Sequence, residues 1–129
     1  MPKQFINPEG LAAPPAGRYT QVVQAGSTVY IAGQTARDAN GNFVGEGDIA
    51  EQYRQVWHNL QVAMDAVGGT VDDIVKLTTY VVGEENVEPL RQARARTTGK
   101  NPPANTLLVI SRLADPRFLL EIEAVAELD

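Results

Sequence analysis

The fold is decided by residues 99–128, which read GKNPPANTLLVISRLADPRFLLEIEAVAEL. A turn with two prolines leads into an apolar strand predicted over residues 106–113, and a short connection leads to a last strand over residues 118–126. The first of these strands is apolar on both faces, so neither side is suited to water. We expect one face to pack on helices of the same chain and the other on a second copy. Chemistry is then expected in the cleft between copies, where these strands begin and end.

Length and composition predict one ordinary globular domain over residues 1–129. Hydrophobic residues make up 43% of the chain and charged residues 21%. The net charge is −5 and no basic patch alternates with aromatic residues, so nucleic-acid binding is not expected. The one dense cationic run, Arg91, Arg94 and Arg96, has helical spacing and is expected to form a solvated helix face.

Several kinds of site are disfavoured by composition. The chain has no cysteine, which excludes disulfides and thiolate chemistry and fits a reducing compartment. With a single histidine and no Asp-rich loop, a metal site is not expected, and no cofactor-binding signature occurs. The first residues lack the apolar core of a signal peptide, and no apolar run approaches membrane-spanning length. A soluble cytoplasmic protein without a cofactor is the prediction.

The N-terminal half reads as a short strand, a hairpin and a helix. Residues 3–7 are a candidate edge strand, and β-rich runs at 19–25 and 28–32 flank the turn at Gly26-Ser27. Asp48 is a plausible N-cap with Glu51 three residues on, a capping box. Apolar residues then recur at three- and four-residue spacing until Gly68-Gly69 ends the helix, which predicts an amphipathic α-helix.

The C-terminal half supplies a strand, a second helix and the two strands of the opening stretch. The run at 74–82 is a strand, and Asn86 is expected to cap a helix that continues through Arg96, with Gly99 as its stop. Two helices separated by strands on a mixed sheet of about six strands predict an α+β two-layer sandwich, with both helices on one face.

Five motifs in this order resemble the Rid family, the reactive intermediate deaminases, also called the YjgF family. The motifs are YTQVV (19–23), VYIAGQ (29–34), DDIVK (72–76), GKNPPA (99–104) and EIEAVA (121–126). The resemblance implies a chorismate-mutase-like fold, assembled as a homotrimer with clefts between subunits. It further implies hydrolysis of imines or enamines to ketones and ammonia, without a cofactor.

The resemblance also implies where a site would lie. Active members of the family carry a substrate-binding arginine directly after Pro-Pro-Ala, but this chain has Asn105, followed by Thr106. A family asparagine on the second helix corresponds to Arg91, and the acidic strand residue corresponds to Glu121. The further substrate-binding candidates match the family pattern: Tyr19, Gly33 and Gln34.

Glu121 is the expected acid/base group, because imine hydrolysis needs a group that positions water and moves protons. Glu123 shares its strand face, ~7 Å away from the rise per residue. The alternative for both glutamates is that they are solvated or form salt bridges at an interface. Tyr19 either bonds a ligand or closes the cleft, and Gly33 either admits a ligand to the backbone or makes a plain turn. Asn105 either donates and accepts hydrogen bonds with a ligand or is a turn residue before the strand.

Three further residues have expected places. Arg91 restores the missing charge if its helix lines the cleft, and otherwise belongs to the solvated face. Arg112 is expected to pair with a carboxylate or with backbone carbonyls, and His58 is expected to be exposed.

The sequence therefore predicts a small-molecule hydrolase with an altered substrate preference. The alternative is a trimeric ligand-binding or regulatory protein of the same fold that has lost the chemistry. A third possibility is a structural or chaperone-like protein, which would need a large apolar patch outside the trimer contact.

Overall fold

A computed structural model, which describes residues 2–97 and 101–129, shows a six-stranded mixed sheet covered on one face by two helices. The elements are β1 (Gln4–Ile6), β2 (Val22–Ala25), β3 (Thr28–Gln34), α1 (Ile49–Asp65), β4 (Ile74–Val82), α2 (Val87–Ala95), β5 (Ala104–Ile110) and β6 (Leu120–Glu127). The strand order is β1-β2-β3-β6-β4-β5, in which β4 and β5 run parallel and the other neighbours antiparallel. The predicted α+β two-layer sandwich is confirmed.

Helix α1 begins as the sequence predicts. The Asp48 side chain accepts a hydrogen bond from the Glu51 backbone N–H at 3.1 Å. The capping box also predicts that the Glu51 carboxylate accepts from the Asp48 backbone N–H. The Glu51 carboxylate pairs with Arg54 instead. The helix buries the expected apolar stripe together with two polar side chains, Gln52 and Asn59.

Strand β6 lies in the middle of the sheet and separates its two faces. Leu120, Ile122, Ala124 and Ala126 alternate along it and are buried beneath the helices. Glu121 and Glu123 fall on the other face, which no helix covers and which we call the open face. The sequence expectation that the two glutamates share one face is therefore confirmed.

Several predicted boundaries are wrong by a few residues. Strand β5 covers Ala104–Ile110 rather than 106–113, since the chain turns where Arg112 donates to the carbonyls of Leu113 and Ala114 at 3.0 Å. This contact confirms the expectation for Arg112. Strand β6 begins at Leu120 rather than at Phe118, whose ring stacks on Phe43. In the hairpin, β2 begins three residues later than predicted and β3 extends two residues further.

Helix α2 begins directly after Asn86, as predicted, and ends at Ala95, one residue before the predicted end at Arg96. Asn86 makes no capping hydrogen bond; its amide donates to the Val82 carbonyl at 2.8 Å, which holds the end of β4. The predicted stop at Gly99, and with it the start of the opening stretch, lies outside the described residues.

Strand β5 forms one edge of the sheet. Leu108, on the open face, is 44% exposed, and Val109, on the helix face, is 52% exposed. The expectation that one face of this strand packs on the chain's own helices is supported at Leu107, which packs against the core, but is wrong for Val109, which stays exposed. Such an edge, apolar on both faces, is suited to contact with another chain.

Across residues 2–97 and 101–129, neither helix is long and apolar enough to cross a membrane.

Candidate functional site

A β-bulge in β3 shapes the centre of the candidate site. Ile31 pairs with Ala124 and Gln34 pairs with Ile122, so β3 holds one more residue than β6 between the two pairs. Bulges of this kind redirect side chains and are common beside active sites. Here the bulge places Gly33 directly against the Glu121 carboxylate.

The bulge opens into a cavity of about 530 Å³. Four predicted site residues line it together: Tyr19, Gly33, Gln34 and Glu121. Residues that the sequence did not single out complete the wall: Ala12, Ala13, Pro15, Gln21, Ala32, Thr35, Arg37, Asn59, Ala114 and Phe118.

Glu121 is the ionisable group at the centre of this cavity. Within the described part of the chain, no hydrogen bond or ion pair occupies its carboxylate. Burial raises the pKa of Glu121, and the negative charge of Glu123 raises it further. A half-buried, unpaired carboxylate with a raised pKa has the properties of a general acid or base.

Glu123 has a different environment although it shares the same face. The Tyr80 hydroxyl donates a hydrogen bond to its carboxylate at 2.7 Å, and this bond raises the pKa of Tyr80. Glu123 therefore has a partner on the open face and does not line the cavity.

Gln34 is buried and shapes the cavity wall. Its amide donates to the Gln21 side chain at 2.8 Å and to the Ala32 carbonyl at 3.0 Å. Gln21 in turn donates to the Ala12 carbonyl at 2.8 Å, which fixes the preceding loop over the cavity. The amide of Gln34 thus holds the bulge and the loop, whereas Tyr19, 52% exposed, lies at the mouth with its ring accessible.

Asn59 fixes the segment that follows β3. From α1, its amide donates to the carbonyls of Thr35 at 3.2 Å and Arg37 at 3.0 Å. Sequence reasoning missed this residue. Its polar side chain beside the apolar stripe of α1 was the available signal.

Asn105 does not join this cavity. It pairs with Leu77 in the parallel ladder, so its side chain lies on the helix face, opposite to that of Glu121. Its amide oxygen accepts a hydrogen bond from the Thr79 hydroxyl at 3.0 Å. It lines a second cavity of about 260 Å³ with α1 residues Tyr53 and Trp57.

Two other predicted site residues also lie elsewhere. Thr106 is on the open face, where its hydroxyl accepts a hydrogen bond from the Lys76 ammonium at 2.8 Å. The Arg91 side chain is 65% exposed, approaches Glu88 at 3.8 Å and lines neither cavity. Within one chain, Arg91 therefore lies on a solvated helix face, and its place in a cleft between subunits stays a prediction.

The solvated-face prediction is wrong for Arg94. This residue lines the smaller cavity, and burial lowers the pKa of its guanidinium. His58 is exposed, as predicted. In the described part of the chain, no three His, Asp or Glu side chains are grouped closely enough to hold a metal ion.

Comparison with known proteins supports a single family. The model of the family described as endoribonuclease L-PSP matches residues 10–128. A RutC family protein from Pyrococcus horikoshii is 34% identical over 115 residues, which cover 89% of this chain and 90% of the relative. A protein from Acinetobacter baylyi named 3-aminoacrylate deaminase RutC is 29% identical over 126 residues, 98% of each chain.

The fold is shared with solved structures. A crystal structure of a Rid family protein of unknown function from Yersinia pestis superposes with a TM-score of 0.91 at 28% identity. The match covers 98% of this chain and 100% of the other. The six-stranded sheet with two helices is thus the fold of these relatives.

Proposed function

Since the chain belongs to the endoribonuclease L-PSP family, which is the Rid/YjgF family that the motifs predicted, we propose that it hydrolyses small imines or enamines to carbonyl compounds and ammonia. The observation that carries this proposal is the Glu121 carboxylate, half-buried and unpaired in a cavity large enough for a small metabolite. The name of the Acinetobacter relative, a deaminase of an enamine, supports the same class of reaction.

The reaction needs only water and a group that moves protons. In the proposed mechanism, the Glu121 carboxylate takes a proton from water as the water oxygen bonds to the imine carbon. Glu121 returns its proton to the imine nitrogen, which gives a neutral carbinolamine. Glu121 then takes the hydroxyl proton of the carbinolamine and passes it to the amino nitrogen, so the C–N bond breaks with its electron pair on nitrogen, ammonia leaves and the carbonyl forms. An enamine is first protonated on carbon, which gives the imine, and the imine then follows the same steps.

The rest of the site positions the substrate. At the bulge, the lack of a side chain on Gly33 leaves room beside the carboxylate. The exposed Tyr19 ring at the mouth can cover a bound molecule or donate from its hydroxyl. No charged side chain is supplied by residue 105, so the substrate preference differs from that of family members with arginine at this position.

We further propose that the complete site lies between subunits of a homotrimer. Glu121 and Asn105 lie on opposite faces of one sheet, so a single chain cannot bring them together. The exposed apolar edge of β5 supports contact with a neighbour, which would place Asn105 and the β5 edge of one chain beside the Glu121 cavity of the next.

Replacing Leu108 with aspartate is expected to dissociate the trimer. A charge buried at an apolar contact without a partner costs several kcal/mol, roughly enough to shift assembly at micromolar concentration. Sedimentation equilibrium measures the result: about three times the 13.9 kDa chain mass for the wild type and the monomer mass for the variant. Phe5→Asp, which changes an exposed apolar residue on the opposite edge of the sheet, is the control and should leave the mass unchanged. A monomeric wild type would overturn the shared site.

The function is tested by ammonia release from imines generated in situ, both 2-imino acids and uncharged imines. The wild type should accelerate release above the uncatalysed rate. Asn105→Arg should raise kcat/KM for 2-imino acids by about 10-fold or more, because a guanidinium–carboxylate bond contributes roughly 1.5–3 kcal/mol. Asn105→Gln, which adds no charge, should leave the preference between charged and uncharged substrates unchanged.

The outcomes also separate the competing functions. Ligands that raise the melting temperature of the wild type without any turnover would favour the non-catalytic binding protein. A nuclease activity, which the family description names, has less support, because a chain of net charge −5 is poorly suited to a phosphate backbone.

A further inference from the structure

Arg37 is a cationic side chain in the wall of the Glu121 cavity. It lies three residues beyond the end of β3, in the segment that the bulge directs along the cavity. No salt bridge within 4.0 Å joins Arg37 to Glu121 or to another described acid, so the two charges line one cavity without neutralising each other. A small molecule placed between them would meet a cation on one side and an acid/base group on the other.

The backbone of Arg37 is held firmly. Its carbonyl accepts the Asn59 amide at 3.0 Å, and its own N–H donates to the Thr35 carbonyl at 2.7 Å. It also forms an isolated β-bridge with Phe43. A side chain on such a backbone can bind a ligand with little loss of conformational entropy.

The guanidinium of Arg37 is oriented by two aromatic rings. Its central carbon lies 5.1 Å from the centroid of Phe43 and 5.4 Å from that of Phe118. Ring stacking leaves the N–H groups in the guanidinium plane available to acceptors, and described residues take none of them. The Asp115 carboxylate is held by Arg117, which bonds it at 2.9 Å from the backbone and 3.2 Å from the side chain.

From these contacts we infer that Arg37 binds an anionic group of the substrate, a carboxylate, while Glu121 acts at the carbon–nitrogen double bond. This inference rests on the proposed function and adds a specificity-determining residue to it, one that lies outside the Pro-Pro-Ala turn. Asn105 supplies no charge, so the carboxylate is bound from the wall of the cavity that contains Glu121 itself. A planar guanidinium suits this role, because it can donate two parallel hydrogen bonds to a carboxylate.

The inference is tested by binding, independently of turnover. Calorimetric titration with pyruvate, a 2-oxo acid of the product class, is compared with titration of its uncharged amide, pyruvamide. Arg37→Gln should weaken pyruvate binding by about 10-fold or more and change pyruvamide binding by less than about 2-fold. Arg37→Lys keeps the positive charge but cannot donate two parallel hydrogen bonds from a planar group. Its affinity for pyruvate should therefore lie between those of the wild type and Arg37→Gln.

Arg117→Gln is the matched control. Arg117 stacks on the same Phe43 ring, with its guanidinium carbon 3.3 Å from the centroid, but it does not line the cavity. Its replacement should leave pyruvate binding within about 2-fold of the wild type. Three results would overturn the role of Arg37. They are equal weakening of pyruvate binding by Arg37→Gln and Arg117→Gln, equal loss of pyruvate and pyruvamide binding in Arg37→Gln, and no pyruvate binding by the wild type. Normal pyruvate binding without ammonia release from any imine would instead overturn the proposed function and leave this role in place.

Discussion

Glu121→Gln is expected to lower ammonia release by about 100-fold or more while the fold and ligand binding remain. Glutamine keeps the shape and polarity of the side chain, but it cannot accept a proton from water. The comparison is made by single-turnover measurement of ammonia on folded protein, with Glu123→Gln as the control. Glu123 is engaged by Tyr80 outside the cavity, so its replacement should change the rate only a few-fold. Equal rates for wild type and Glu121→Gln would remove Glu121 from the mechanism.

The pH dependence of the same variant gives a second measurement. Burial raises the pKa of Glu121, so the wild-type rate should fall with decreasing pH at a higher pH than an ordinary glutamate would give. The folded state also binds this proton more tightly than the unfolded state does. The stability that Glu121 contributes is therefore present below its unfolded pKa and lost as pH rises through its folded pKa. Glutamine cannot ionise, so Glu121→Gln should gain stability relative to the wild type as pH rises from the ordinary glutamate pKa, about 4.3, through the raised folded-state pKa of Glu121.

Gly33→Ala is expected to cause a comparable loss of activity, about 100-fold, with little change in melting temperature. A Cβ on Gly33 would overlap the Glu121 carboxylate and lie 2.8 Å from its Cδ. The carboxylate is the end of a flexible side chain, so it would move away from the bulge rather than disrupt the strand. A displacement of about 1 Å at a reacting group is enough to cost roughly 100-fold in rate. Ammonia release and thermal unfolding, measured on the same preparation, check both halves of this expectation.

A double-mutant cycle provides the control for Gly33. In a Glu121→Ala background no carboxylate remains to be displaced, so adding Gly33→Ala should have almost no further effect on rate. Additive losses from the two changes would mean that Gly33 acts through the backbone or through substrate contact rather than through Glu121. A large fall in melting temperature with Gly33→Ala alone would point to a disrupted bulge.

Local patterns predicted much of the fold. The β-branched run Ile74–Val82, flanked by Asp72-Asp73 and Gly83, formed the predicted strand with unchanged bounds. The alternation along β6 assigned its acidic residues to one face. Each of these features depends on neighbours within a few residues, so the sequence alone contained the necessary information.

The candidate site was only partly predictable, because its geometry depends on contacts between distant segments. The cavity role of Arg37 depends on Asn59, 22 residues away, and on rings that stack only in the folded chain. The direction of Asn105 is set by its register with β4, and a shift of one residue would move it to the other face. Family resemblance singled out Glu121, which lines the larger cavity, but it could not show which cavity each of the other residues faces.

The hydrogen bond between Thr79 and Asn105 constrains how this family member can change over evolutionary time. Thr79 is fully buried, and its hydroxyl donates to the Asn105 amide oxygen at 3.0 Å. Arginine offers no acceptor at that position, so Asn105→Arg would deprive a buried hydroxyl of this partner, at a cost of about 1–3 kcal/mol. A small apolar residue at position 79 would remove that cost, and the exposed Asn105 amide would keep water as its partner. The two positions are therefore energetically coupled, and arginine at position 105 is better tolerated once the hydroxyl at position 79 is gone.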